Sequence, residues 1–461
     1  MINLFERYYT IRNIFLVLLE SLLLYVCLLL TWFIVSGGSP WSDHSGLHLK
    51  AVCIILVCVF CLYCNNVYSL RDISGYLDLA VKLFQALGMA LILLALIYIG
   101  FSRARLATEF FLVYVPVVVM VLSTWRFVYV FILKTGMFSQ KIMVVGDGDF
   151  AVDICREIER EIDCGYSVEV LVTEKHVDGL DTLSAPHHHS YEKLATTAEE
   201  FEVERIVVAL KEKRGSLPVD ELLLCRMNGI DVMDGNTFYE MLTGKFLVSS
   251  INPGWLIFSD GFRKGPLRSM LKRLEDIVVS LTLLVLFSPV MLVAAVFIKL
   301  DSRGPLLFAQ ERLGQGHKPY KLYKLRSMVE NAEKESGPVW ALKNDSRVTR
   351  VGLFIRKWRV DELPQLFNVL KGDMSLVGPR PERAHFVEQL EAEIPYYGER
   401  FTVRPGVTGW AQVRYEYGDS VEDAMEKLNY DLFYIKNMNL FMDIVIIFRT
   451  IRTVLFGVGA R

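Results

Sequence analysis

Hydrophobic and polar positions divide the chain into three parts. In the first third, apolar residues run almost unbroken over 14–35, 51–68, 77–100 and 110–133. Each run approaches the ~20 residues a helix needs to cross a bilayer. From about residue 140 the period changes. A buried strand reads at 141–146, with a helix to about 162. Apolar strands at 167–172, 205–210 and 230–234 then alternate with helices at 217–227 and near 238–242. That alternation predicts a parallel α/β domain. A fifth long apolar run, 277–300, opens the last third, followed by a helical pattern at 363–370 and an apolar end at 440–458. The expected organisation is a four-helix transmembrane domain over 1–138, a Rossmann-like α/β domain over 139–262, and a third domain over 263–461.

Charge adds orientation. The chain is 52% hydrophobic, too apolar for an ordinary soluble protein, and its net charge of −2 identifies no partner. The first apolar run is too long for a cleaved signal and lacks a small-residue cleavage site. Arg7 and Arg12 precede it, while the first connection, 36–49, has no Lys or Arg. Arg71 and Lys82 flank the second connection. The N-terminus is therefore expected in the cytoplasm. Four crossings return the chain there, in agreement with Arg126, Lys134 and Lys141; Arg103 and Arg105 argue the other way from a short connection. The fifth run has Lys272 and Arg273 at one end, Lys299 and Arg303 at the other, and Ser288-Pro289 in the middle. Proline removes a helix hydrogen bond and forces a kink, and the serine hydroxyl can satisfy the freed carbonyl. A kinked helix over 274–300 that re-enters the same face reconciles these features. A straight span would put everything after it outside.

Several patterns have bland readings. Cys58, Cys61 and Cys64 recur every three residues inside an apolar run, as small packing residues do. Cys155, Cys164 and Cys225 are scattered and expected to be free thiols. Gly146-Asp147-Gly148-Asp149-Phe150-Ala151 matches G-x-G-x-x-A, and Glu174 stands about where a ribose-binding acid would be. The motif alone is weak, the domain is short, and no Tyr-x-x-x-Lys pair is placed in the rest of that domain for hydride chemistry. A structural or regulatory role is therefore favoured over a bound dinucleotide. His187-His188-His189 has no matching Cys or Asp cluster and reads as a solvated loop.

The chemistry concentrates between Arg350 and Glu382. Two adjacent carboxylates, Asp361 and Glu362, follow Arg350, Arg356, Lys357 and Arg359. Pro364 falls in the first turn of the next helix and Gly372 can close it. Asp361 thus lies near a helix N-terminus, a favourable place for phosphate, although alone it could be a simple N-cap. Gly378-Pro379-Arg380-Pro381 stiffens the backbone around an arginine suited to bidentate phosphate binding. Arg404-Pro405-Gly406 and Trp410 to Gln412 offer a second constrained arginine, polar groups and an aromatic that could hold a base. Asp431, Tyr434 and Asp443 lead to the apolar end, which carries Arg449 and Arg452 and reads as interfacial.

KRLEDIVVS, the Ser-Pro break, FAQERLGQG, YKLRSM, RVDELPQLFNVLKGDMSLVGPRPE and RPGVTGWAQV, in this order, strongly resemble the bacterial sugar transferases, monotopic polyprenyl-phosphate phosphoglycosyl transferases. The likeness runs from about Leu267 to the C-terminus; the four spans and α/β domain resemble the large members. Leu274–Glu275 and Leu325 depart slightly from the pattern. The resemblance implies a mainly helical (α+β) monotopic catalytic domain with a re-entrant kinked helix. It implies transfer of a sugar-1-phosphate from a UDP-sugar to undecaprenyl (polyprenyl) phosphate, releasing UMP, as the first step of exopolysaccharide, O-antigen or capsule synthesis. Asp361 would be the nucleophile, forming an aspartyl phosphosugar, and Glu362 its partner, with Mg²⁺ held by Asp361 and Glu362. Arg273, Asp276, Lys324, Arg326, Arg356, Arg380, Arg404 and Gln412 are candidates for binding substrate or phosphate, or for orienting groups that do. The implied location is the bacterial inner membrane with the site on the cytoplasmic face. Downstream polysaccharide glycosyltransferases would be partners, a homo-oligomer is left open, and nucleic acid is not expected. Two competing readings are a membrane-anchored NAD-dependent nucleotide-sugar dehydratase or epimerase, and a non-catalytic scaffold.

Overall fold

The computed structural model describes residues 11–37, 47–65, 67–68, 75–101, 108–134, 139–160, 164–174, 183–210, 217–251, 261–262, 265–329, 347–415, 418 and 420–456. Arg7, Arg71, Arg103 and Arg105, used for topology, lie outside them. The chain forms two compact units, Met1–Leu242 and Thr243–Arg461.

In the first unit the apolar runs form helices α1 (Ile11–Val35), α2 (Leu47–Cys64), α3 (Tyr76–Gly100) and α4 (Thr108–Lys134). Helices α1, α3 and α4 are long and apolar enough to cross a membrane, whereas the apolar part of α2, His48–Cys64, is shorter. Leu24, Leu28, Ile54, Leu79, Leu83 and Leu122 pack together inside. Phe15, Leu18, Ile92 and Phe131 face outward, which water would not tolerate in such numbers but lipid does. Cys58, Cys61 and Cys64 are buried, and all eight cysteines are free.

Arg126 corrects the charge reading. It is fully buried rather than a flank at a helix end. Its guanidinium pairs with the buried Glu20 carboxylate on α1, with Nη2 to Oε2 at 2.9 Å, and Nη1 donates to the Val67 carbonyl at 2.9 Å. The Tyr68 ring lies 4.7 Å below it. A charge in such a place is tolerable only because it is paired.

The same unit carries strands β1 (Gln140–Val145), β2 (Tyr166–Val172), β3 (His187–His188), β4 (Arg205–Val208) and β5 (Asp231–Asp234). They form one sheet in the order β3-β2-β1-β4-β5, and every pairing is parallel. Helices α5 (Asp149–Arg160), α6 (Leu194–Glu200), α7 (Val219–Met227) and α8 (Gly235–Thr243) connect or follow the strands. The histidine run is an exposed edge strand rather than a loop, since His187 and His188 pair with Leu171 and Val172. Among the described residues no cluster of three metal-ligating side chains forms there or elsewhere. A Cβ on Gly146 would lie 2.4 Å from the Ala209 carbonyl oxygen, so this glycine is required by strand approach. Asp147 Oδ1 accepts the Glu174 backbone N–H at 2.7 Å, which ties this turn to the chain leaving β2.

The second unit begins before residue 263 in its packing. Lys245 pairs with Glu426 at 2.5 Å, and the Val248 N–H donates to Asn429 Oδ1 at 2.9 Å. Helix α9 (Pro266–Asp301) leads into the antiparallel hairpin β6 (Leu307–Leu313) and β7 (Pro319–Leu325). Then come α10 (Arg350–Lys357), α11 (Gln365–Lys371), β8 (Ser375–Val377), α12 (Ala384–Glu393), β9 (Gly406–Thr408), α13 (Trp410–Arg414), α14 (Val421–Asn437) and α15 (Leu440–Phe456). The unit is mainly helical, with two small two-stranded sheets.

Helix α9 is long and apolar enough to cross a membrane, and Leu281, Val285, Leu286, Leu292 and Val293 point outward along it. Pro289 leaves the Val285 carbonyl without its usual donor, and the Ser288 hydroxyl supplies one at 2.8 Å. Both ends of α9 rest on one small group of elements. Near the first, Arg273 donates to the Val369 and Leu370 carbonyls at 2.6 and 2.7 Å. Near the second, Ala294 and Ile298 pack with Leu325 and Ile355. Tyr323, two residues from Leu325, donates to Asn368 Oδ1 beside Val369.

Candidate active site

The turn bearing the carboxylates is built from both sides. Thr349 caps α10 by accepting the Gly352 N–H at 2.9 Å. A Cβ on Gly352 would lie 2.0 Å from the Ser327 carbonyl oxygen, so α10 can seat there only on glycine. Arg359 takes a left-handed conformation (φ 54°) that ends α10 and turns the chain. Val360–Glu362 follow as one 3-10 turn, Pro364 caps α11, and Gly372 (φ 97°) closes it. Asp361 therefore stands one turn ahead of α11. Asn368 binds α11 to β7: its amide donates to the Lys321 carbonyl at 2.7 Å and accepts the Tyr323 N–H at 3.1 Å. This fastening aims Lys324 at Glu362, Nζ to Oε1 at 2.9 Å.

Three cations converge on Glu362: Lys324, Arg380 at 3.3 Å and Arg359 at 3.6 Å. Burial opposes ionisation of Glu362, but these charges outweigh it and hold its pKa well below the usual carboxylate range. Asp361 behaves oppositely. Burial pushes its pKa up to about 6 against the attraction of Lys324, and the neighbouring Glu362 charge adds to the rise. Among the described residues Asp361 has no hydrogen bond or ion pair. One carboxylate is thus neutralised by cations, and the other is left desolvated and uncommitted, the condition that sharpens a nucleophile.

The candidate residues divide into groups. Lys324, Arg359 and Arg380 are brought together at Glu362. Arg356 also acts on Asp361 through its charge, and its side chain, like that of Arg404, makes no hydrogen bond or ion pair with the described residues. Gln412 Oε1 is buried without a partner. Arg326 is 6% exposed and bonds Ser302 through Nη2, with Nε and Nη1 unpartnered. Two others serve the frame instead. Arg273 holds the last carbonyls of α11. Asp276 accepts the Ser375 hydroxyl and the Leu376 N–H, each at 2.9 Å, and so ties α9 to β8. Nearby, Lys272 pairs with Asp443 at 2.9 Å, and Tyr434 bridges Asp443 and the Val377 carbonyl. Trp410 is not open to a base: it is buried, donates to the Gly244 carbonyl at 2.7 Å, and lies under Arg414 and Arg449.

The Arg380 and Arg404 loops are zipped together. Strands β8 and β9 pair in parallel, Ser375 with Gly406 and Val377 with Thr408. A Cβ on Gly406 would lie 2.1 Å from the Gly378 nitrogen, and one on Gly409 2.3 Å from the Gly378 oxygen. Only glycines allow the two loops to lie so close. Asn368 and Arg400, both buried, are working residues that the sequence reading missed. A polar residue inside the apolar 363–370 run was the available signal for Asn368.

A magnesium ion fits this place in one sense. Mg²⁺ is commonly held by one or two carboxylates plus substrate phosphates rather than by a protein cage. The uncommitted Asp361 carboxylate can supply one such ligand, whereas Glu362 is already shared among three cations.

Residues 267–457 match the family described as bacterial sugar transferase. Over 240 residues the chain is 46% identical to UDP-N-acetylgalactosamine-undecaprenyl-phosphate N-acetylgalactosaminephosphotransferase of Aeromonas hydrophila, covering 52% of this chain and 56% of that protein. It is 45% identical over 188 residues to UDP-glucose:undecaprenyl-phosphate glucose-1-phosphate transferase of Caulobacter vibrioides, covering 40% of this chain and 69% of that protein. A longer match, 30% over 365 residues, reaches undecaprenyl-phosphate glucose phosphotransferase of Komagataeibacter xylinus and covers 74% of this chain and 65% of that protein. The chain thus spans little more than half the length of the Aeromonas relative. With its dyad, its clustered cations and its apolar helices, the chain belongs to the bacterial sugar transferase family.

Proposed function

We propose that the chain transfers a sugar-1-phosphate from a UDP-sugar to a polyprenyl phosphate. The observation that carries this reading is the unequal pair: Asp361 free and desolvated, Glu362 fixed among Lys324, Arg359 and Arg380. An Asp361 oxygen attacks the phosphorus bearing the sugar. The bond from that phosphorus to the bridging oxygen breaks, and UMP leaves with the bridging oxygen and its electron pair. A phosphate oxygen of the polyprenyl phosphate then attacks the same phosphorus, which restores the Asp361 carboxylate and gives polyprenyl diphosphate-sugar. Arg356, uncommitted and close enough to act on Asp361, is placed to neutralise the phosphoryl oxygens. The Arg404 side chain of the neighbouring loop and the Gln412 side-chain amide oxygen on α13 are uncommitted and suit the nucleotide. When bound, Mg²⁺ at Asp361 would add charge neutralisation at the diphosphate.

The same reading places the site on the cytoplasmic face of the inner membrane, with α9 re-entrant. Support comes from the contacts of α9 with one group of elements at both ends. A straight helix would hold residues 273 and 298 about 37 Å apart at 1.5 Å per residue. The Ser288–Pro289 break is where it would bend. A lipid phosphate and a soluble nucleotide could then meet at one surface, and the product would feed further glycosyltransferases of polysaccharide synthesis.

Purified protein in nanodiscs, given undecaprenyl phosphate, Mg²⁺ and UDP-glucose, UDP-galactose or UDP-N-acetylgalactosamine, should release UMP with at least one donor, and Asp361→Asn should abolish it. UMP release undiminished in Asp361→Asn would remove Asp361 as nucleophile.

A further inference from the structure

We propose that Arg400 is a positioning residue for the transfer: its guanidinium grips the Arg380 carbonyl and so fixes the Arg380 side chain at Glu362. The kinetic part of this inference rests on the transferase reading above. The segment Gly378–Glu382 contains two prolines, which have no N–H to offer a helix or strand. Its carbonyls must be held from outside, and four consecutive ones are. Gly406 N–H donates to Pro379, Arg400 Nη2 to Arg380 at 3.1 Å, Arg312 Nη1 to Pro381 at 3.2 Å, and Leu313 N–H to Glu382. The contact at Arg380 is the one made to the residue whose guanidinium reaches Glu362.

Arg400 is only 7% exposed, and its planar fork serves three partners. Beyond the Arg380 carbonyl it binds Asp431 Oδ2 on α14 at 2.9 Å and the Tyr397 hydroxyl. Asp431 and Tyr397 are each 2% exposed, so the anchor is firm at its far end. A buried ion pair is a poor source of stability, because a well-packed apolar pair of equal volume often serves as well. An apolar pair cannot donate to Arg380. The arrangement is therefore explained by position, with Arg400 linking α14 to the loop that faces the carboxylates.

Two measurements decide this. Hydrogen exchange of the full-length protein in nanodiscs reads the amides of Leu376, Val377, Gly378, Arg380, Glu382 and Arg383. Arg400→Lys, and the charge-free double change Arg400→Met with Asp431→Leu, should speed exchange there by about tenfold or more while β6 and β7 stay protected. The kinetic cycle comes second. Arg400→Lys should lower kcat/KM by about 10- to 100-fold, the usual cost of losing a supporting partner. In an Arg380→Ala background the same change should cost less than about threefold, because the two act as one unit. Unchanged exchange at 376–383, or losses that multiply fully in the cycle, would overturn the proposal. If wild type releases no UMP with any donor, the transferase reading fails by itself, and the exchange result still decides the clamp.

Discussion

Replacing Asp361 by Asn should make the protein more stable at neutral pH while removing its activity. Burial raises the Asp361 pKa from 3.8 to about 6. The sign follows from linkage. Below pH 3.8 both folded and unfolded states hold the proton, and the carboxyl contributes nothing. Between 3.8 and about 6 the unfolded chain ionises first, so folding loses stability as pH rises, and above the folded pKa the loss is constant. The rise from 3.8 to about 6 corresponds to about 3 kcal/mol at most. Asparagine has nearly the same shape and no charge. The second unit holds both the site and its packing, and a unit of that size gains roughly 2–4 °C per kcal/mol. Thermal unfolding of detergent-held wild type and Asp361→Asn, measured from pH 4 to 8, should show a gap in favour of the mutant. It should open between pH 4 and 6 and stay flat above. A wild type that is the more stable at pH 7.5, or a gap that closes as pH rises, would refute the view of Asp361 as a desolvated, unsupported charge.

Other expectations follow from the same contacts. Lys324→Met removes the largest charge favouring ionised Asp361, so the acid limb of kcat/KM should move up by about one pH unit; an unmoved limb contradicts the assignment. Arg126→Met strands Glu20 in the helical bundle and should cost roughly 3–5 kcal/mol of stability in detergent, whereas the double change with Glu20→Met should recover most of it. Arg273→Gln removes the donors at the end of α11 and should lower the unfolding midpoint. The activity of the molecules still folded should fall by less than about threefold, against the 10²-fold or more expected for a phosphate-binding arginine.

The long helices, the parallel sheet and the carboxylate turn were legible because each follows from local order. Apolar length reports a span, alternation reports strands, and Pro364 and Gly372 mark the ends of α11. Partners distant in sequence were not legible. Arg126 resembles a flanking charge until Glu20, more than a hundred residues away, is seen beside it. Arg273 and Asp276 carry the charges expected of a phosphate or metal site, and nothing local shows that their partners are two carbonyls of α11 and, on β8, the Ser375 hydroxyl and the Leu376 N–H. Trp410 has the ring to hold a base, but its burial depends on Phe433 and Arg449 from later helices. Arg400 stands in no motif, and its role emerges only when the Arg380 carbonyl is seen to need a donor.

The central claim is that Asp361 carries the sugar phosphate. Full-length protein in nanodiscs should be given a productive UDP-sugar without lipid acceptor, quenched in acid, digested and read by mass spectrometry. The account predicts that the peptide containing Asp361 gains the mass of one sugar phosphate, that UMP appears in equal amount, and that later addition of undecaprenyl phosphate removes the label. UMP formed only when acceptor is present, with no mass gained at Asp361, would contradict it.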